Sequence, residues 1–316
     1  MALIAEKNIV VFVGGVGGAK LALGLQQVVA PEHLTTIVNT GDDFWHYGLR
    51  ICPDIDTVLY TLSGRVDPIN GWGLSDDSTI MLETLRSLGE DAWFTLRDKD
   101  LATHLLRTKM LREGYSLTDV VGHLAKVQGI QPTVLPMTDA EVPTIVNTVE
   151  HGELEFQSYF VQHRWQPTVK SLYFKNIDQA TMTDSVRQAI QNADIILFAP
   201  SNPWLSIAPI LSVPGMRDAI IARDVPRVAV TPIIQGKAVK GPAAKLMGEL
   251  GYDVSPSSVA AYYEDVLTGF VYDIRDENVE TYDLKTISFD TMMLTDEDKA
   301  RLAREILIWL NEREFV

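Results

Sequence analysis

The sequence predicts an α/β protein, with a parallel sheet sandwiched by helices and a smaller mixed α+β subdomain. Three observations predict it. Short apolar runs rich in β-branched residues recur at 9–13, 34–38, 194–201 and 225–230. Segments with helical apolar spacing lie between them. The first run breaks abruptly into four glycines within five positions, in the stretch N-I-V-V-F-V-G-G-V-G-G-A-K at 8–20. A buried strand, a glycine turn and a helix form the Rossmann-like unit whose backbone N–H groups accept phosphate.

Glycine suits that turn because it permits close backbone approach and positive φ. The stretch copies neither common phosphate motif. Read as a Walker A loop, Gly14 and Lys20 are in register, but Ala19 replaces the second glycine and Leu21 the magnesium-binding hydroxyl. Read as a dinucleotide fingerprint, Gly15 and Gly17 fit, and Lys20 stands at the third small residue. Gly14, Gly15, Gly17, Gly18 and Lys20 are therefore candidates for phosphate binding. A tight βα turn without a ligand is the structural alternative. The helix that follows is expected over 19–29, with Leu21, Leu25, Val28 and Val29 on its buried side.

The run 34–38 ends in Asn39-Thr40-Gly41-Asp42-Asp43. Strand ends of a parallel sheet gather ligands, so Asn39 and Thr40 are expected beside the glycine loop. Asp42 and Asp43 would repel a phosphate unless a divalent cation lay between them, and magnesium suits one or two carboxylates plus phosphate oxygens. Pro53 and Asp54 resemble a helix entry, with Val58, Leu59 and Leu62 on the buried face. Asp54 and Asp56 can serve the helix N-terminus, yet four carboxylates within fifteen positions point to a metal or hydroxyl site. Trp45 and His46 fall between them and can line a pocket for a flat ligand.

From 72 to 128 the chain reads as helices over 78–88, about 100–111 and 117–127, with Asp100 as a cap of the second. Lys99, His104, Arg107 and Lys109 form a basic strip. Residues 134–174, dense in Val, Thr and aromatics with a turn at His151-Gly152, suggest β-hairpins. The whole chain, 1–316, reads as one α/β domain with a helical and hairpin subdomain at about 72–175. After the run 194–201, Pro200 and Pro203 force an extended loop that frees Ser201 and Asn202 for a base or ribose. The loop 235–245 places Lys237, Lys240 and Lys245 near two glycines, a composition suited to a diphosphate. The segment 296–311 has the pattern of an amphipathic covering or subunit-contact helix.

Composition narrows the function classes. A net charge of −15 argues against a general nucleic-acid binder. Hydrophobic residues at 46% exclude a disordered chain. Cys52 is the single cysteine, which rules out an intrachain disulfide. With no signal-peptide layout and no apolar run of membrane-spanning length, a cytoplasmic protein without membrane partners is expected.

Several motifs then carry a resemblance: G-G-V-G-G-A-K, V-N-T-G-D-D, P-D-I-D-T-V-L-Y, R-D-K-D-L-A-T-H-L-L-R and A-P-S-N-P-W-L-S-I, followed by P-G-M-R, T-P-I-I, K-G-P-A-A-K-L-M and A-A-Y-Y-E-D. In this order, to about Arg275, the chain resembles the transferases of coenzyme F420 biosynthesis, the 2-phospho-L-lactate transferases and their phosphoenolpyruvate-using relatives. The resemblance implies a Mg2+-dependent enzyme with a Rossmann-type fold, assembled as a homodimer. It implies movement of a phospholactyl or phosphoenolpyruvyl group from a guanosine diphosphate conjugate to the deazaflavin alcohol Fo, with GMP released. For such a transfer the chemistry of the residues makes Asp43 and Asp56 the principal carboxylates, and Asp42, Asp43 and Asp56 the metal candidates. The resemblance implies Asp56 and Lys99 as Fo contacts, and Trp45 and His104 are expected to join them. The glycine loop with Lys20, and Ser201-Asn202 with Lys240 and Lys245, would hold the guanosine diphosphate. Lys99 stands where many relatives carry arginine, which removes a bidentate contact. Two other classes remain open from the residues: a non-catalytic nucleotide-sugar-binding regulator of this fold, and a nicotinamide-dependent oxidoreductase suggested by Gly15-x-Gly17.

Overall fold

The computed structural model describes residues 6–239, 241–281 and 283–312. Its centre is a seven-stranded sheet, with every neighbouring pair parallel. Across the sheet the order is Lys285–Phe289, Gly269–Asp273, Arg227–Val230, Ile195–Phe198, β1 (Ile9–Val13), β2 (Leu34–Val38) and Thr133–Pro136. All five residues of β1 are buried, as a central parallel strand covered on both faces requires. Its side chains divide by the period of two: Ile9, Val11 and Val13 enter one core, Val10 and Phe12 the other.

The chain leaves β1 toward β2 on one side and returns to pair Ile195–Phe198 on the other. The loops after β1 and after Phe198 therefore diverge and open a crevice at the carboxyl ends of the strands. Helix α1 (Val16–Gln26) follows the first loop and starts three residues before the expected position, taking Gly17 and Gly18 into its first turn. The C-terminal helix Asp296–Glu312 packs on α1 so closely that a Cβ at Gly24 would lie 2.1 Å from the Lys299 carbonyl oxygen. The expected covering role of that helix is seen directly.

Helix α2 (Pro53–Leu62) begins at Pro53 as expected and buries nine of its ten residues. Helices α3 (Ile80–Ser87), α4 (Asp98–Arg112) and α5 (Leu117–Val127) follow. Ser116 and Asp119 form a capping box on α5. The starts of α3 and α4 are tied to each other. Asp98 accepts from the Ile80 and Met81 N–H groups of α3, and Asp77 accepts from the Lys99 and Asp100 N–H groups of α4. Asp100 is thus not the cap expected of it, and its carboxylate is free for other contacts. The basic strip does not form either: His104 and Arg107 are buried, while Lys99 and Lys109 face outward.

The stretch read as hairpins divides. Thr133–Pro136 joins the main sheet beside β2, whereas Thr144–Thr148 sits between Gly152–Glu155 and Val169–Phe174 in a separate antiparallel sheet. The helices and the hairpins are accordingly two excursions from the main sheet, with a sheet strand between them. Residues 235–245 hold a short strand, Lys237–Ala238, and the start of a helix, Ala243–Glu249, instead of an open lysine loop. Lys240 lies outside the described residues. Among the described residues, no helix is long and apolar enough to cross a membrane.

Candidate active site

The glycines after β1 are required by proximity. None of Gly14, Gly15, Gly17 or Gly18 has a positive φ, contrary to half of the expectation. A Cβ at Gly14 would lie 2.3 Å from Ser206 Oγ, one at Gly15 2.6 Å from Asp54 Oδ1, and one at Gly17 2.3 Å from the Pro200 carbonyl oxygen. The loop is wedged between the strand-end loop at 199–206 on one side and α2 on the other. Ser201 Oγ accepts from the Gly14 N–H at 2.9 Å and lies under Gly18, which ties the two diverging loops together. Asn202 caps the following turn by accepting from the Trp204 and Leu205 N–H groups.

Gly17→Ala tests this wedge. Because the obstructing atom is backbone, the loops must shift, at a cost of about 1–3 kcal/mol. The variant is expected to melt several degrees earlier, as read by calorimetry. Unchanged melting would show that the loops have room to spare.

A cavity of about 600 Å³ opens over this crevice, with Gly15, Val16, Gly17 and Lys20 on its rim. Two acidic groups face it. In the first, the Asn39 side-chain amide donates to Asp42 Oδ1 at 3.0 Å and to Asp54 Oδ2 at 2.9 Å, and its Oδ1 accepts from the Gly41 N–H. Both carboxyls are buried and line the cavity. Burial pushes Asp54 up to about 7, the Asn39 bond opposing and the Asp43 charge adding to the rise. Burial together with the charge of Asp54 holds Asp42 well above the usual carboxylate range.

In the second group, Arg107 grips Asp56 through both terminal nitrogens, with Nη1 at 3.1 Å from Oδ2. The same Nη1 lies 3.2 Å from His104 Nδ1, and His104 Nε2 lies 3.2 Å from Asp100 Oδ2. Tyr60 donates its hydroxyl to Asp100 Oδ1 at 2.6 Å. Burial alone would raise the Asp100 carboxyl, but the facing His104 and the Tyr60 hydroxyl hold it below its ordinary value. Asp56, Asp100 and His104 could together reach one ion, their ligand atoms lying within 4.8 Å of one another. Arg107 already neutralises Asp56 and faces His104, so a cation there would meet a guanidinium.

The expected site residues separate cleanly. Gly15, Gly17, Lys20, Asp42, Asp56, His104, Ser201 and Asn202 line the cavity. Gly14, Gly18, Asn39 and Thr40 support it from behind. Lys20 donates its ammonium to the Met293 carbonyl at 2.8 Å. Asp43 turns away from the cavity to Arg50 at 3.4 Å, and burial pushes its carboxyl up to about 6 against the Arg50 charge. Lys99 is exposed and donates to the Ser75 and Asp76 carbonyls. Trp45, 44% exposed, directs its indole N–H to Glu141. Lys245 is held by Glu249 and the Pro167 carbonyl, outside the cavity. The site also contains Asp54, read from the sequence chiefly as a helix-entry residue, and Asp100 and Arg107. Asp100, His104 and Arg107 follow the i, i+4, i+7 spacing of a single helix face, a signal that could have joined them.

The description "2-phospho-L-lactate transferase CofD" belongs to the family that matches residues 9–307, nearly the whole chain. The chain belongs to the CofD family. Among CofD-type relatives, the 2-phospho-L-lactate transferase of Methanosarcina barkeri is 39% identical over 302 residues, covering 94% of this chain and 97% of the relative. The phosphoenolpyruvate transferase of Streptomyces griseus is 38% identical over 309 residues, with 95% and 97% covered. A crystal structure of a UPF0052-family protein from Bacillus halodurans shares the CofD fold, with a TM-score of 0.66 at 18% identity over 96% of this chain and all of that one. Its likeness extends to architecture alone.

Proposed function

We propose that this transferase moves a phospholactyl or phosphoenolpyruvyl group from a guanosine diphosphate conjugate to the terminal ribityl hydroxyl of Fo. A new ester bond forms between the acceptor oxygen and the phosphorus next to the lactyl or enolpyruvyl group. The bridging P–O bond to the guanylyl phosphate breaks, GMP leaves, and the hydroxyl proton is released. Such a displacement needs in-line positioning and charge neutralisation more than a covalent nucleophile.

The observation that supports this most is the adjacency of the glycine loop to two buried carboxylates sharing one amide. Among the described residues, Asp42 and Asp54 have no cationic side chain on them, and each is pushed toward its protonated form. Hard oxygen ligands of this kind fit magnesium. Asp43 and Asp56, the carboxylates favoured from the sequence, are already paired with Arg50 and Arg107. The donor set therefore favours Asp42 and Asp54 as the metal carboxylates. Mg2+ held there would supply charge neutralisation for the diphosphate. Backbone N–H groups of the glycine loop bind phosphate oxygens. Asp56, fixed by Arg107, and His104 lie on the cavity and can orient the acceptor hydroxyl. Lys99 and Trp45, which point elsewhere, are left out of that contact.

The test is incubation of purified protein with Fo, Mg2+ and each conjugate in turn, followed by mass spectrometry. Stoichiometric GMP and a phosphodiester of Fo are expected with one donor or both, and chelation of the metal should stop the reaction. Release of GMP without an Fo ester would replace the transferase reading with hydrolysis.

A further inference from the structure

Behind the carboxylate pair lies a side chain whose orientation is fixed. Asn39 is fully buried just past the end of β2. Its Oδ1 accepts from the Gly41 N–H at 2.8 Å, and only an acceptor can meet that N–H, so the amide cannot turn over. Nδ2 is thereby aimed at the carboxylates. It donates to Asp42 Oδ1 at 3.0 Å and to Asp54 Oδ2 at 2.9 Å, with the Leu205 carbonyl farther off at 3.3 Å. Among the described residues, no hydrogen bond reaches the other two oxygens, Asp42 Oδ2 and Asp54 Oδ1. Yet these residues are only 8% and 7% exposed, and both line the cavity. Asp54 Oδ1 looks onto the glycine loop, where a Cβ at Gly15 would lie 2.6 Å from it. Each carboxylate keeps one oxygen for the cavity and gives the other to the same amide.

We propose that Asn39 is a positioning residue that confines Asp42 and Asp54 to one oxygen each toward a divalent cation, biasing the site toward Mg2+ and against Ca2+. The inference rests on the reading that these two carboxylates hold the metal. Ca2+ takes roughly six to eight oxygens in a flexible arrangement and often uses both atoms of a carboxylate. Mg2+ demands a compact octahedron and keeps several waters. One oxygen from each of two carboxylates, completed by phosphate oxygens and water, is a set that suits it. Releasing the second oxygens would raise the ligand number and let the pair swivel, and both changes favour the larger ion. Groups that orient metal ligands from behind commonly change affinity by about 10- to 100-fold when removed.

Asn39→Ser is the discriminating variant. A serine hydroxyl can still accept from the Gly41 N–H and keep the turn, but its single hydrogen meets only one carboxylate. Mg2+ and Ca2+ alone are titrated into the full chain, wild type and variant, in competition with Mn2+ followed by electron paramagnetic resonance. Asn39→Ser is expected to shift the ratio of the two affinities toward Ca2+ by about tenfold or more. An equal loss for both ions, or no change in either, would overturn the proposal and leave Asn39 a structural role. Infrared difference spectra of the wild type decide the same point if the variant does not fold. A carboxylate chelating through both oxygens has its antisymmetric stretch below that of the free carboxylate. Neither ion is expected to produce such a band in the wild type. Its appearance with Ca2+, and its loss in Asp54→Asn, would overturn the proposal too. Metal binding undiminished in both Asp42→Asn and Asp54→Asn would sink the metal reading of the pair, and this inference with it. Binding that falls in both, with an unshifted ratio in Asn39→Ser, would sink this inference alone.

Discussion

Asp54→Asn is expected to cut transfer by about 100- to 1000-fold, the scale seen when a preorganised charge-stabilising group is removed. The side chain keeps its shape and can still meet the Asn39 amide through its carbonyl oxygen, so the fold should persist. A second effect follows from the direction of its titration. Burial places the folded carboxyl at about 7, above its ordinary 3.8. The folded protein thus holds this proton more tightly than the unfolded chain does. In the absence of metal, that contribution to stability is full below about 4 and is lost as pH rises through about 7. Without metal, Asp54→Asn should remove this part of the pH dependence and match or exceed wild type at pH 8. Mg2+ should raise the wild-type melting temperature at pH 8 more than at pH 5, and raise that of the variant less. Equal magnesium shifts in both proteins at pH 8 would take Asp54 out of the metal set.

Arg107→Met is expected to produce the largest loss of stability, about 3–5 kcal/mol, because it strands the Asp56 carboxylate in the interior. The guanidinium is fully buried and reaches three groups at once: Asp56, the Arg50 carbonyl and His104. Denaturant midpoints measure the loss. The double variant Arg107→Met, Asp56→Asn should recover part of it, since an amide needs no counter-charge. Additive losses in the two single variants would mean that the ion pair contributes nothing beyond its separate parts.

These residues also mark how far the sequence could be read. Strand β1 was legible because a strand covered on both faces is a continuous apolar run, β2 because β-branched residues fill it despite its two threonines, and the glycine loop because its composition is extreme. Thr133–Pro136 was not separable from the hairpins beyond it, since a short apolar strand carries no sign of which sheet it joins. The carboxylates were legible as a group, but their division of labour was not. Which of Asp42 and Asp43 faces the crevice depends on one turn, and which acid receives an arginine depends on Arg50 and Arg107 arriving from elsewhere. Lys99 and His104 are five residues apart on α4, and helix rotation sends one to solvent and the other into the cavity. The diphosphate reading of the loop 235–245 met a related obstacle: Lys245 has Glu249 one turn away, and that local pair captures it.

The Lys20–Met293 bond joins residues 273 positions apart. Pro200, Ser201 and Ser206, which box in the glycine loop, come from the second half of the chain as well. During synthesis the glycine loop leaves the ribosome first, yet it gains its final shape only after nearly all the remaining chain has followed. A nascent fragment can hold β1 and α1 but not the cavity. Assembly of the cavity therefore acts as a check on completion: a truncated product from this message would lack the far wall of the glycine loop.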